Sequence, residues 1–138
     1  MNHLELTDAS RIVAGILLIS IFTIEIGGWF MTKIVRGQVP MTDFQKAFAR
    51  AGHAHAGVLV TLGLVTQILA DATDFDGGVG WLVRLLVPAA AILMSGGFFA
   101  SSAGKGVTQP NKAIAMLWLG ALCLAAGTLT LGIGLLAA

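Results

Sequence analysis

Four long apolar runs separated by short polar segments leave this chain few ways to fold. They cover residues 12–35, 48–70, 81–101 and 113–136. At about 1.5 Å of rise per residue, each is long enough as a helix to cross roughly 30 Å of hydrocarbon. The 138 residues are 57% hydrophobic and only 11% charged. An ordinary soluble domain carries about 25% charged residues. The expected fold is therefore all-α: a single integral membrane domain, residues 1–138, built as a four-helix transmembrane bundle.

The charges set the expected orientation. Loop one holds Lys33, Arg36, Lys46 and Arg50, and loop three holds Lys105 and Lys112, six of the eight basic residues. Arg11, Arg84 and most of the acids lie on the opposite side. By the positive-inside rule both basic loops are cytoplasmic and both termini lie outside a plasma membrane. A net charge of +1 argues against a nucleic-acid partner. Cys123 is the lone cysteine and sits in an apolar run, so a disulfide within the chain and a cysteine-based metal motif are both excluded. The first ten residues are polar and the run after them is too long for a signal peptide's apolar region, so the first span is expected to be retained.

Several residues inside these runs need an account. Thr7, Asp8 and Ser10 are candidate caps for the first helix. Glu25, near the middle of span one, is costly in hydrocarbon and is expected to face protein or a cavity. Pro40 and Thr42 read as a turn, and residues 43–50 as a short amphipathic lead into span two. Arg84 lies close enough to the start of span three to snorkel to the interface, and Pro88 predicts a kink. Gly120, Gly127 and Gly134 recur at sevenfold spacing in span four, a smooth stripe for close helix approach.

Residues 49–57, Ala-Arg-Ala-Gly-His-Ala-His-Ala-Gly, carry the strongest chemical signal. His53 and His55 are two of the three histidines in the chain. They stand where the charged segment of Lys46 and Arg50 turns apolar. On a helix, residues two apart point about 200° from each other, so the pair is no chelate by itself. One inward imidazole suits axial ligation of a haem, whereas a protein-held metal needs further ligands from other helices. On span two, His55 shares a face with Leu59, Leu62 and Thr66, and His53 with Gly57, Val60 and Gln67.

Three segments, taken in order, resemble styrene oxide isomerase, a family of small four-helix bacterial membrane enzymes. The first span is similar in layout, from Ala14-Gly15 to a Gly-Trp step at Gly28-Trp29. Ala54-His55-Ala56-Gly57 resembles the family's Arg-Ala-His-Ser-Gly motif, with an added Gly-His step after Arg50. Gly97-Phe98-Phe99 and Gln109-Pro110-Asn111 resemble its Gly-Phe-Tyr segment and Gly-Pro-Asn loop. The resemblance implies a haem b protein, a homotrimer, with His55 as the axial iron ligand. It further implies an open iron position that acts as a Lewis acid on a small apolar epoxide. Arg50 and Lys46 are placed to meet haem propionates, and His53 and Gly57 border the same cofactor. Thr61 stands where the family has asparagine, and Phe99 where it has tyrosine. Together with Glu25, these are the residues expected to contact substrate.

Two further readings stay open on the residues alone. One is a haem membrane protein that senses, stores or passes electrons, or serves as an accessory subunit of a membrane complex; Gly-His-Ala-His also echoes short histidine motifs of haem–copper oxidase relatives. The other is a packing bundle whose histidines merely sit at the interface.

Overall fold

The computed structural model describes residues 5–138, so His3 lies outside the described residues. It is all-helical, with α1 Asp8–Val35, α2 Asp43–Ala70, α3 Gly77–Ser101 and α4 Ala115–Ala137, the last entered through a single 3₁₀ turn at Lys112–Ile114. All four helices are long and apolar enough to cross a membrane.

α1, α2 and α3 begin four or five residues before their apolar runs, because the first turns are set by capping rather than hydropathy. Of the three candidates, Thr7 caps α1, its hydroxyl accepting from the Ser10 N–H. Thr42 and Gln45 form a reciprocal capping box on α2. The polar lead of residues 43–50 is thereby continuous with span two. α1 ends at Gly37, whose φ of 69° lets its own N–H reach Ile34 O while Gln38 N–H reaches Lys33 O.

The helices run up and down, and α3 is the central one. It packs on α2 along one side and α4 along the other, while α1 leans mainly on α2 and makes no contact with α4. The first and last helices do not close the bundle, which leaves Ile19, Phe22, Trp118 and Leu122 on outward faces. Val13, Leu17, Leu59, Val60, Ala91 and Met94 form the larger core cluster. The glycine stripe of α4 is buried, Gly120 and Gly127 against α3 and Gly134 against Phe75 of the α2–α3 turn. An added Cβ would lie 2.6 Å from Met94 Cγ at Gly120 and 2.9 Å from Leu86 Cβ at Gly127. This stripe packs helices within one chain.

One expectation is corrected here, and another is not met within one chain. Arg84 does not snorkel. It is 7% exposed, and Nη2 meets Asp71 Oδ1 at 2.6 Å, Nε donates to Ser10 Oγ at 3.0 Å, and Nη1 donates to Gly80 O at 2.7 Å. A carboxylate just past the end of α2 lies within reach, so the guanidinium turns inward. Glu25 does not face the bundle either. It lies on the exposed side of α1, one step round the helix from the half-buried Ile24.

α3 runs unbroken through Pro88. Proline has no N–H to offer the carbonyl four residues back. That carbonyl, Arg84 O, accepts instead from Gln67 Nε2 of α2 at 3.0 Å. At the opposite end of the molecule Gln45 Nε2 donates to Ser102 O at 3.0 Å and Gly104 O at 2.8 Å, fastening the α3–α4 loop to α2.

Candidate histidine site on the second helix

The two histidines lie about three turns inside α2, both half-buried, in different surroundings. His55 turns toward α3. Its ring packs on Phe98 with centroids 4.9 Å apart, and Phe98 in turn meets Phe48 edge-on at 5.4 Å. His55 Nδ1 lies 2.8 Å from Ala51 O, four residues back. With the carbonyl as acceptor, that bond puts the proton on Nδ1 and leaves the Nε2 lone pair free. α3 comes this close because position 52 has no side chain. A Cβ on the buried Gly52 would sit 2.9 Å from the Phe99 ring.

His53 turns toward α1. Its ring lies over the Gly27-Gly28 step, where added Cβ atoms would meet Nδ1 at 3.4 Å and Nε2 at 3.5 Å. His53, Ala54, Gly57, Val58 and Thr61 line a shallow groove open to the outside of α2. Thr61 donates its hydroxyl to Gly57 O at 2.9 Å. A Cβ at Gly57 would meet nothing within 4 Å, so a flat body could lie on the backbone there. Lys46 and Arg50 continue the same face toward the loop, at intervals of three and four residues. Lys46 pairs with Asp43 at 3.1 Å, and Arg50 is exposed.

The fold thus gathers Lys46, Arg50, His53, Gly57 and Thr61 on one outward face and sets His55 on another. Thr61 shares a groove with His53, whereas Val60 and Gln67, expected on that face, are buried inward. Phe99 sits at the seam of α2 and α3, and Glu25 on the outer side of α1. Within one chain, Thr61 lines the outer groove beside His53 without Glu25 or Phe99. No group of three or more His, Cys, Asp or Glu side chains among the described residues is arranged to hold a metal ion. Haem asks for less, since one imidazole and an apolar face suffice.

Sequence reasoning missed two features. One is the polar cluster of Thr7, Ser10, Asp71 and Arg84; an arginine in a span beside an acidic turn was its visible signal. Burial raises the Asp71 carboxyl. Hydrogen bonds from the Thr7 N–H, the Arg84 guanidinium and the Ser10 and Thr7 hydroxyls outweigh it, and hold the group below its ordinary value. The other is an apolar cavity between α1, α2 and α3, which has no sequence signature. Comparison with known protein families, curated proteins and solved structures finds no match to this chain.

Proposed function

We propose that this chain is a multi-pass plasma-membrane protein that binds haem b through His55. The observation that carries the reading is the bond from His55 Nδ1–H to Ala51 O. Axial histidines are ordinarily held in this way, with the outer nitrogen tied to a carbonyl and the inner one free for iron. Phe98 restrains the ring from one side. Arg50, Lys46 and Gly57 lie on the His53 face, so they would serve a haem held by a neighbouring copy: Arg50 and Lys46 by meeting propionates, Lys46 after leaving Asp43, and Gly57 by offering bare backbone to a macrocycle edge. Ferric haem with one open position would supply Lewis-acid chemistry, which suits isomerisation of a small epoxide.

The isomerase part of the reading requires more than one copy of the chain. Glu25 and Thr61 lie on outward faces, so only neighbouring copies could bring them around one ligand. A homo-oligomer, a trimer by the resemblance, meets that need. The six basic residues of loops one and three support an orientation with those loops in the cytoplasm and the termini outside. A second reading, a haem protein without a substrate, is favoured by His53. Its outward position would let it serve as a further ligand to haem held by a neighbour, closing the open iron site.

An absorption spectrum of the purified protein tests both. A Soret band with five-coordinate, high-spin iron is expected for the first, and six-coordinate, low-spin iron for the second. Protein that stays colourless and takes up no added haem overturns the proposal. For the isomerase reading, Thr61→Asn with Phe99→Tyr should raise epoxide turnover. Absence of turnover in both the natural chain and that variant removes the isomerase.

A further inference from the structure

A cavity of about 330 Å³ lies between α1, α2 and α3, apart from both histidines. Its walls are aliphatic: Leu17 from α1, Ala56 and Val60 from α2, Pro88 and Ala91 from α3. Ile16, Leu85 and Ile92 stand at its rim and are 62%, 45% and 73% exposed, so the mouth faces sideways into the membrane. A cavity of about 150 Å³ with such walls already holds benzene, and this one is about twice that size.

One wall group does not fit an aliphatic slot. Ser95 lines the cavity and is 8% exposed; its Oγ is closed off from the cavity space as it stands and has no hydrogen-bond partner. A serine or threonine on a membrane helix usually returns its hydroxyl to a carbonyl three or four residues back. Ser20, Thr23, Thr61, Thr66 and Thr128 all do so here. Ser95 does not, and a buried unpaired hydroxyl costs about 1–3 kcal/mol. A lipid acyl chain would fill the space and leave that hydroxyl unpaired.

We propose that this cavity binds a small apolar molecule, about ten non-hydrogen atoms in size, carrying one carbonyl oxygen, and that Ser95 turns its hydroxyl about χ1 into the cavity to donate a hydrogen bond to it. The lateral mouth admits such a molecule from the bilayer, where it would already be concentrated. Ser20 and Thr23 also line the cavity, but their hydroxyls are committed to Leu17 O and Ser20 O. Specificity therefore falls on Ser95. The proposal does not depend on haem, so His55→Ala should leave this binding unchanged.

The test uses the full chain in lipid nanodiscs, with acetophenone and its oxygen-free counterpart ethylbenzene as probes and empty nanodiscs as reference. Acetophenone should bind more tightly than ethylbenzene. Ser95→Ala should weaken acetophenone roughly five- to tenfold, the worth of one neutral hydrogen bond, and leave ethylbenzene unchanged. Ala56→Leu, which fills the cavity, should remove both. The infrared carbonyl band of bound acetophenone gives a readout on the unaltered protein. A shift to lower frequency relative to the ketone in empty nanodiscs, lost in Ala56→Leu, supports the proposal. An unshifted carbonyl band, equal binding of the two probes, or binding that survives Ala56→Leu would each overturn it and leave an acyl-chain slot.

Discussion

His53 and His55 stand two residues apart in one helix and meet different neighbours. His55 has Phe98 against its ring and Ala51 O on Nδ1, whereas His53 lies across a glycine step of α1 and opens on an outer groove. If His55 holds haem, His55→Ala should abolish the Soret band, and His53→Ala should keep it with at most a shifted spectrum or potential. The reverse pattern would move the ligand to the face that already carries Arg50, Gly57 and Thr61. A double variant that keeps the spectrum would remove this stretch as the site. Asp71 makes a second residue-scale prediction. Its carboxyl is held below the usual value of about 3.9, so its stabilising effect is complete above that value. The effect is lost as pH falls through the lower value in the folded protein. Thermal unfolding in detergent should show a loss of stability at acid pH that Asp71→Asn flattens. Asp71→Asn should itself cost about 3 kcal/mol at neutral pH by leaving Arg84 buried without its partner.

Among the elements, α3 sets what the others can do. It is flanked by α2 and α4, and each side approaches through missing side chains: Gly52 under Phe99, and Gly97, Gly120 and Gly127 along α4. At Gly120 an added Cβ would meet backbone as well as side chain, with Met94 N only 2.8 Å away. Gly120→Ala should therefore force α3 and α4 apart and cost about 1–3 kcal/mol. Gly132→Ala on the same helix meets nothing within 4 Å and should be neutral or slightly stabilising, since alanine favours helix. Equal unfolding temperatures for the two variants would contradict this account of the seam. The unbroken course of α3 through Pro88 has a related cause. Gln67 of α2 takes up the carbonyl that the proline leaves free.

At the scale of the whole molecule the open arrangement matters most. Because α1 meets α2 and not α4, one chain leaves broad apolar faces and the mid-span Glu25 uncovered. A bare carboxyl in contact with lipid is unfavourable by about 2.5–3.5 kcal/mol on insertion scales. A second copy covering α1 would remove that cost. Mass measurement in nanodiscs should find an oligomer, and Glu25→Leu should leave the monomer's fold intact while altering assembly. A protein that is monomeric across the concentration range would overturn both statements. A reporter fused after Ala138 should behave as extracytoplasmic; cytoplasmic behaviour would invert the orientation without changing the four helices.

The helices themselves were legible in the sequence, because hydrocarbon demands that backbone groups be paired locally, and long apolar runs record that demand residue by residue. The glycine stripe of α4 was legible for a similar reason, since a repeat of seven keeps one helix face. The apolar runs begin about a turn inside α1 and α2, because Thr7, Thr42 and Gln45 start those helices through hydrogen bonds that hydropathy does not register. Only the tertiary structure decided where Arg84 and Glu25 point, because a charged side chain follows its nearest partner or lack of one, and partners come from other helices. It also decided the division between His53 and His55. Helix geometry required that they diverge, but Phe98 and the Gly27-Gly28 step, distant in sequence, determined what each would face. The cavity and the unpaired hydroxyl of Ser95 are likewise products of how three helices fit, because empty space between side chains has no residue of its own to announce it.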